Sequence, residues 1–252
     1  MQNTLVLAFG GVALLVALAF LLDGRIRADD SERAALEKQV QEAETAYKDA
    51  YRKYSELRGK LLAAQHKESP YSGELERARK QVSGERGFSA DRLAITGDTL
   101  EVGDLRVSLQ SFGKENRKLQ KKEIVGEPTK FERELWGALV KIENTSEGRI
   151  ITPFQESSMF SKVTVIDSWD NREVQASFGL FDEVQPQEGA GFELAGTEVL
   201  PGKTATFLLV VSDLKVLNFD YVTIKMEVMP SNKGKAETVY FVVPKDKVVG
   251  LK

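Results

Sequence analysis

Three unlike patterns of apolar residues follow one another along the chain. Residues 4 to 22, TLVLAFGGVALLVALAFLL, carry no charge. That is about the length a helix needs to cross a bilayer core, and it predicts a transmembrane anchor over residues 1–24. A cleaved signal peptide is the alternative, because Ala17-Leu18-Ala19 has a small-x-small form. Against it, Met1-Gln2-Asn3 lacks Lys and Arg, and the run exceeds the roughly 7 to 15 residues of a usual signal core. After Gly24 the apolar positions become Leu36, Val40, Ala43, Tyr47, Ala50, Tyr54, Leu57, Leu61 and Ala64, spaced alternately four and three apart. This heptad seam predicts a helical coiled-coil stalk over residues 25–87. Pro70 ends its long helix, and Ser72 starts a short second one carrying Leu75, Ala78 and Val82.

From about residue 91 the period falls to two. Leu105, Val107 and Leu109 alternate, as do Trp136, Ala138, Val140 and Ile142. Val163 and Val165 follow, then Ala205, Phe207, Leu209 and Val211, then Val222, Ile224, Met226 and Val228, and last Val239, Phe241 and Val243. Glu147-Gly148, Asp170-Asn171, Pro201-Gly202 and Pro230-Ser231-Asn232 punctuate these runs. Short alternating strands separated by polar turns predict an antiparallel sandwich over residues 91–252, with Trp136 facing its core.

The seam residues Leu36, Val40, Tyr47, Tyr54, Leu57 and Leu61 are the candidate oligomerisation surface. A parallel homodimer sets Lys53 against Arg58 of its mate, which repels. An antiparallel partner, a higher oligomer or another subunit suits the alternation of Tyr and Ala, and a helix folded back on its own chain is the structural alternative. His66 falls on the outward face of the heptads, which predicts a solvated side chain.

Composition changes the picture mainly by exclusion. The net charge of -3 offers no global attraction to nucleic acid. The chain has no cysteine, which removes disulfides, zinc-thiolate sites and thiol nucleophiles, and one histidine, which removes multi-histidine metal sites. No catalytic, cofactor-binding or metal-binding residues are singled out, and no cofactor is expected. Arg25, Arg27, Arg33 and Lys38 follow the first apolar run and no basic residue precedes it, so the positive-inside rule places the carboxyl side in the cytoplasm.

The segments "LWGALVKIENTS", "SKVTVIDSWDNREV" and "VLPGKTATFLLVVSD" resemble the telokin-like immunoglobulin-fold domains of bacterial membrane-anchored envelope proteins. The likeness spans roughly residues 100 to 243. It rests on an alternating strand ending in Asn-Thr-Ser, a hairpin with an Asp-x-x-(Asp/Asn) turn, and a Pro-Gly turn leading into a strand. The resemblance implies an extracytoplasmic immunoglobulin-like module with no catalytic set, which opposes the positive-inside count. The expected architecture is therefore α+β by segment: an N-terminal transmembrane helix, a coiled-coil stalk and an immunoglobulin-like antiparallel sandwich.

Three polar or aromatic features are weighed as sites. Asp167, Asp170, Asn171 and Glu173 gather oxygen ligands, but without EF-hand spacing they read as hairpin chemistry. Lys118, Lys121 and Lys122, with Lys114 and Arg117, form a basic cluster that reads as a solvated loop or as a contact to an anionic partner. Phe178, Phe181 and Phe192 lie in a long Gly-, Gln- and Glu-rich stretch and are candidate partner contacts. Asn144-Thr145-Ser146 reads as a turn and also matches a glycosylation sequon. The functional expectation is a non-catalytic, membrane-anchored scaffold or assembly subunit. The membrane is one expected partner. The stalk is expected to join another copy or another membrane-protein subunit, and the head a protein or envelope component. The alternative is a ligand-binding or sensor module of the envelope.

Overall fold

The computed structural model describes residues 30–85, 88–121, 127–154, 163–177, 184–211, 219–232 and 235–251. The chain divides into two compact units, Met1–Arg58 and Gly59–Lys252. One continuous helix, α1 (Asp30–Glu68), crosses that boundary, and α2 (Ser72–Val82) follows. The rest is β-structure: β1 (Leu93–Ile95), β2 (Thr99–Val102), β3 (Leu105–Lys121), β4 (Thr129–Asn144), β5 (Val163–Asp167), β6 (Glu173–Ser177), β7 (Val184–Pro186), β8 (Thr204–Val211), β9 (Tyr221–Val228), β10 (Glu237–Pro244) and β11 (Val248–Val249). The described part of the chain is mainly β.

The strands pair in the order β1-β10-β9-β5-β6-β8-β4-β3-β11, with β2 and β7 also on β3. The two halves of this sheet share one core. Ile224, Met226, Phe241 and Val243 from β9 and β10 pack in one cluster with Val140, Ile142, Phe207 and Leu209 from β4 and β8. The sheet therefore folds over itself as a β-sandwich. The alternating positions read from the sequence supply its inner face, with Trp136 and Ala205 only half-buried at the rim. Trp136 touches Phe112, ring centroids 6.2 Å apart. In β3 the register shifts between Leu109 and Ser111. That extra residue flips the parity of the strand, so Phe112 continues the inward row of Leu105, Val107 and Leu109.

The other face of β1, β10, β9 and β5 is covered by α2. Leu75, Ala78 and Val82 lie at helical spacing and pack on Leu93, Ile166, Tyr240 and Val242. Glu85, just past α2, pairs with Lys225 and accepts the Tyr240 hydroxyl at 3.2 Å. Burial, together with the Glu85 charge and that hydrogen bond, pushes the Tyr240 pKa well above its ordinary value. The Gln81 amide nitrogen donates to the Asp167 carbonyl at 2.8 Å and to Asn171 Oδ1 at 2.7 Å.

Two expectations are corrected here. The coiled-coil stalk is replaced by a single helix. Tyr47, Tyr54, Leu57 and Leu61 of the expected seam are 71%, 50%, 66% and 59% exposed. Its last turns belong instead to the sandwich unit, where Leu62 enters the main core and His66 is 6% exposed. The solvated position expected for His66 fails for the same reason, because the helix buries the face carrying Leu62 and His66 rather than the seam. The single-pass membrane placement is corrected too: among the described residues no helix is long and apolar enough to cross a membrane. The long helix that is described carries charge along its whole length. The anchor expected at residues 4–22 lies outside the described residues.

Candidate functional site

The exposed apolar residues of α1 form the most distinctive surface. Tyr47, Ala50, Tyr54, Leu57 and Leu61 repeat at intervals of three and four, so they share one side of the helix. Ala43 continues the row and is exposed, while Leu36 and Val40 are half-buried. Tyr51 flanks the row and stacks on Tyr47, ring centroids 6.4 Å apart and 24° between planes. The Tyr54 hydroxyl accepts a hydrogen bond from Arg58 Nη1 at 3.0 Å. Ion pairs Lys38–Glu42 and Lys48–Glu44, both 3.9 Å, and Arg52–Asp49 at 3.3 Å run beside it. Being exposed, these pairs stabilise the helix only weakly. Large aromatic side chains with polar tips are the residue type that dominates contact energetics in protein interfaces.

The other candidates settle differently. Phe192 is buried, packed with Leu119, Leu208 and Val210 under Phe131 and Leu139 on the outer face of β8, β4 and β3. It is a core residue of a second layer. Phe178, Phe181 and Lys122 lie outside the described residues. Lys118 and Lys121 are exposed, on a 17-residue strand rather than in a loop. Acidic residues of β4 face this cluster: Glu132 lies opposite Lys118, and Glu134 pairs with Lys114. Arg117 pairs with Glu115 at 2.7 Å. The local charge is therefore divided between signs rather than concentrated.

Asp167 is 2% exposed, and its Oδ1 accepts the backbone N–H groups of Trp169 and Asp170 at 3.0 Å each. Asn171 takes a left-handed φ of 58°. Together they build the β5–β6 turn, which leaves the Asp167 carboxylate engaged inside the protein. Asn144 is fully buried at the end of β4. Its amide nitrogen donates to the carbonyls of Arg149 (2.7 Å) and Val199 (2.8 Å), and its Oδ1 accepts the Ser146 N–H at 3.0 Å. With both amide hydrogens engaged internally, Asn144 is a structural node and its nitrogen is not presented for glycan transfer.

Sequence reasoning missed the environment of His66. Both ring nitrogens are buried without a hydrogen-bond partner. Burial lowers the pKa, the Asp98 charge opposes that shift, and Arg79 reinforces it. A folded-state pKa below the unfolded value leaves stability intact above the unfolded pKa of about 6.5 and removes it progressively as pH falls below. Thermal unfolding of wild type and His66→Leu should therefore diverge with pH. Acidification below about pH 6.5 should lower the wild-type midpoint more than that of the variant. A constant difference between the two across that range would refute the buried neutral imidazole.

No family model matches the chain, and no curated protein matches it. Among solved structures it is similar to the yjhA protein from Bacillus subtilis, at TM-score 0.38 and 16% identity, covering 60% of this chain and 99% of that one. It is also similar to an uncharacterized β-sandwich protein from Clostridium difficile 630, at TM-score 0.36 and 10% identity, covering 64% of this chain and 98% of that one. The β-sandwich described above stands on its own core, and these likenesses add no assignment of activity.

Proposed function

We propose that this protein is a non-catalytic interaction module, a β-sandwich whose chain also carries a long helix dedicated to binding another protein chain. The observation that carries this reading is the row Tyr47, Tyr54 and Leu57, each at least half exposed on one side of α1. Repeated large apolar groups held in water are unfavourable unless a partner covers them. The strand-and-turn motifs of the sandwich support grouping it with the telokin-like immunoglobulin-fold domains, for which no catalytic set is implied. The alternative of a ligand site at the phenylalanine-bearing loop has less support, because Phe192 is spent on the core.

The test places a photo-crosslinking benzoylphenylalanine at Tyr54 of the full chain, in the cells that produce it, and separately at Thr45 on another side of α1. Discrete protein adducts are expected from position 54 and none from position 45. No adduct from position 54, or equal labelling from both, would sink the reading.

A further inference from the structure

We propose that the last turns of α1, residues 59–68, are an acid-released latch on the sandwich. At neutral pH the segment is docked, and protonation of His66 frees it while the strands stay folded. The docking is narrow. Of the described side chains of α1, only Leu62 and His66 are buried. They share one stripe of the helix with Gly59 and the half-buried Ala63, at spacings of three and four. Leu62 enters the main core. That core is otherwise built from the strands and their connections, so release of this segment removes one of its side chains and leaves the rest in place. At Gly59 the helix runs close to the chain that leads into β1. A Cβ there would sit 3.7 Å from the Asp91 backbone nitrogen and 3.9 Å from Ala90 Cβ.

His66 is the weak point of this docking. Its side chain has left water, yet neither ring nitrogen has a hydrogen-bond partner. A neutral imidazole leaves one donor and one acceptor unmet there. An imidazolium would bring two donors and a charge, which is far costlier to bury unpaired. The charged groups around it pull in opposite directions. Asp98, in the turn between β1 and β2, attracts a cation, and Arg79 of α2 repels it. The Asp98 carboxylate accepts the Ile95 N–H at 3.4 Å. Asp91, beside Gly59, accepts the Ser89 hydroxyl. Lys67 and Glu68, next to His66 on α1, are exposed and opposite in sign. The helix C-terminus also favours a cation. Burial outweighs the attractions and holds the imidazole neutral in the docked form. Once the segment opens, water reaches both nitrogens, so protons bind the open form in preference and draw the equilibrium toward it. His66 is the single histidine, and histidine is the side chain whose ordinary pKa lies between mild acid and neutrality.

Hydrogen exchange of the full chain tests this, with protection corrected for the intrinsic exchange rate at each pH. An undocked helix end is marginal by itself, so its amides lose protection when it opens. With an open-form pKa of about 6.5, moving from about pH 7.5 to about pH 5.5 multiplies the open population roughly tenfold. Protection across residues 59–68 should fall by about that factor, while β9 keeps its own. His66→Leu retains an apolar contact without a titrating group and should show no such fall. A staple gives the second readout. Gly59→Cys with Ala90→Cys sets two Cβ atoms at about 3.9 Å, a usual separation for a disulfide, in a chain with no other cysteine. The oxidised form should keep its protection in acid, and reduction should bring the tenfold loss back. Unchanged protection of residues 59–68 in acid would overturn the proposal. So would a rise, which would show protonated His66 pairing with Asp98 in the docked form. A loss that persists in the oxidised staple, or one matched in β9, would also overturn it. Should His66→Leu fail to fold, the comparison of oxidised with reduced staple decides alone.

Discussion

Gly137→Val is expected to abolish cooperative folding or to destabilise the sandwich by at least about 4 kcal/mol, in the range reserved for direct steric conflict. Gly137 lies near the middle of β4, opposite Gly113 of β3 on one side and Val210 of β8 on the other. A Cβ built there meets the Leu209 carbonyl oxygen at 2.3 Å and Leu208 Cδ1 at 3.4 Å. The first of these atoms is backbone in a neighbouring strand, so relief would require moving β8 as a whole. Urea unfolding measures the effect, with Gly148→Val as the control: nothing lies within 4 Å of a Cβ at Gly148, and a change there within about 0.5 kcal/mol is expected. Stability within about 1 kcal/mol of wild type for Gly137→Val would mean that β4 and β8 do not approach as described.

Asn144→Ala should destabilise the sandwich by about 2 to 4 kcal/mol, because it strips hydrogen bonds from groups that have left water. The Val199 carbonyl keeps the Ile151 N–H but loses its second donor, the Arg149 carbonyl keeps the Ser146 hydroxyl but loses the amide, and the buried Ser146 N–H loses its acceptor. The backbone of the same residue also ties two turns together: its N–H donates to the Lys203 carbonyl at 3.0 Å, and its carbonyl accepts the Gly202 N–H at 2.8 Å. Alanine keeps these backbone bonds, so the loss reports the side chain. The adjacent Thr145 offers the comparison. Its hydroxyl donates to the Asp104 carbonyl at 2.8 Å but is exposed, and Thr145→Ala should change stability by less than about 1 kcal/mol. Equal effects at the two positions, measured by chemical unfolding, would show that the buried node is not what holds the turn.

Much of the sandwich was legible because strand geometry is local. Successive side chains of a strand point to opposite faces, so a buried face must appear as a period of two whatever the strand pairs with. Val222, Ile224, Met226 and Val228 show that period and fall in the core in sequence order. The same holds for Phe207, Leu209 and Val211, and for Asn144 as the terminus of its strand. The helix of residues 30–68 was legible for a like reason, since a period near 3.6 belongs to one backbone geometry.

Which side of a helix is covered is not a local property. The repeat through Tyr47, Tyr54 and Leu61 was visible, but the tertiary fold buried Leu62 and His66 and left Leu61 in water. That choice depends on what the chain brings up from elsewhere: Ala90 and Asp91 lie within 4 Å of where a Cβ on Gly59 would sit. The basic run at Lys114 to Lys121 looked like a loop because alternation lapses there. Pairing with β4 along its whole length makes it a strand, with Glu134 and Glu132 set beside its lysines. Phe192 sits in a Gly-rich stretch with no periodicity to mark it, and only the outer face of β8 and β4 gives it a place. Gly113 and Gly137 carry no local signal in the sequence. Their reason appears only when the Val249 and Leu209 carbonyls come to 2.1 and 2.3 Å from the missing Cβ atoms. The sequence by itself determined the local periods, the turns and the chemistry this chain lacks. The tertiary structure alone decided burial between distant segments, because that is set by contacts between residues far apart in the chain, and the spacing of neighbours along it carries no record of them.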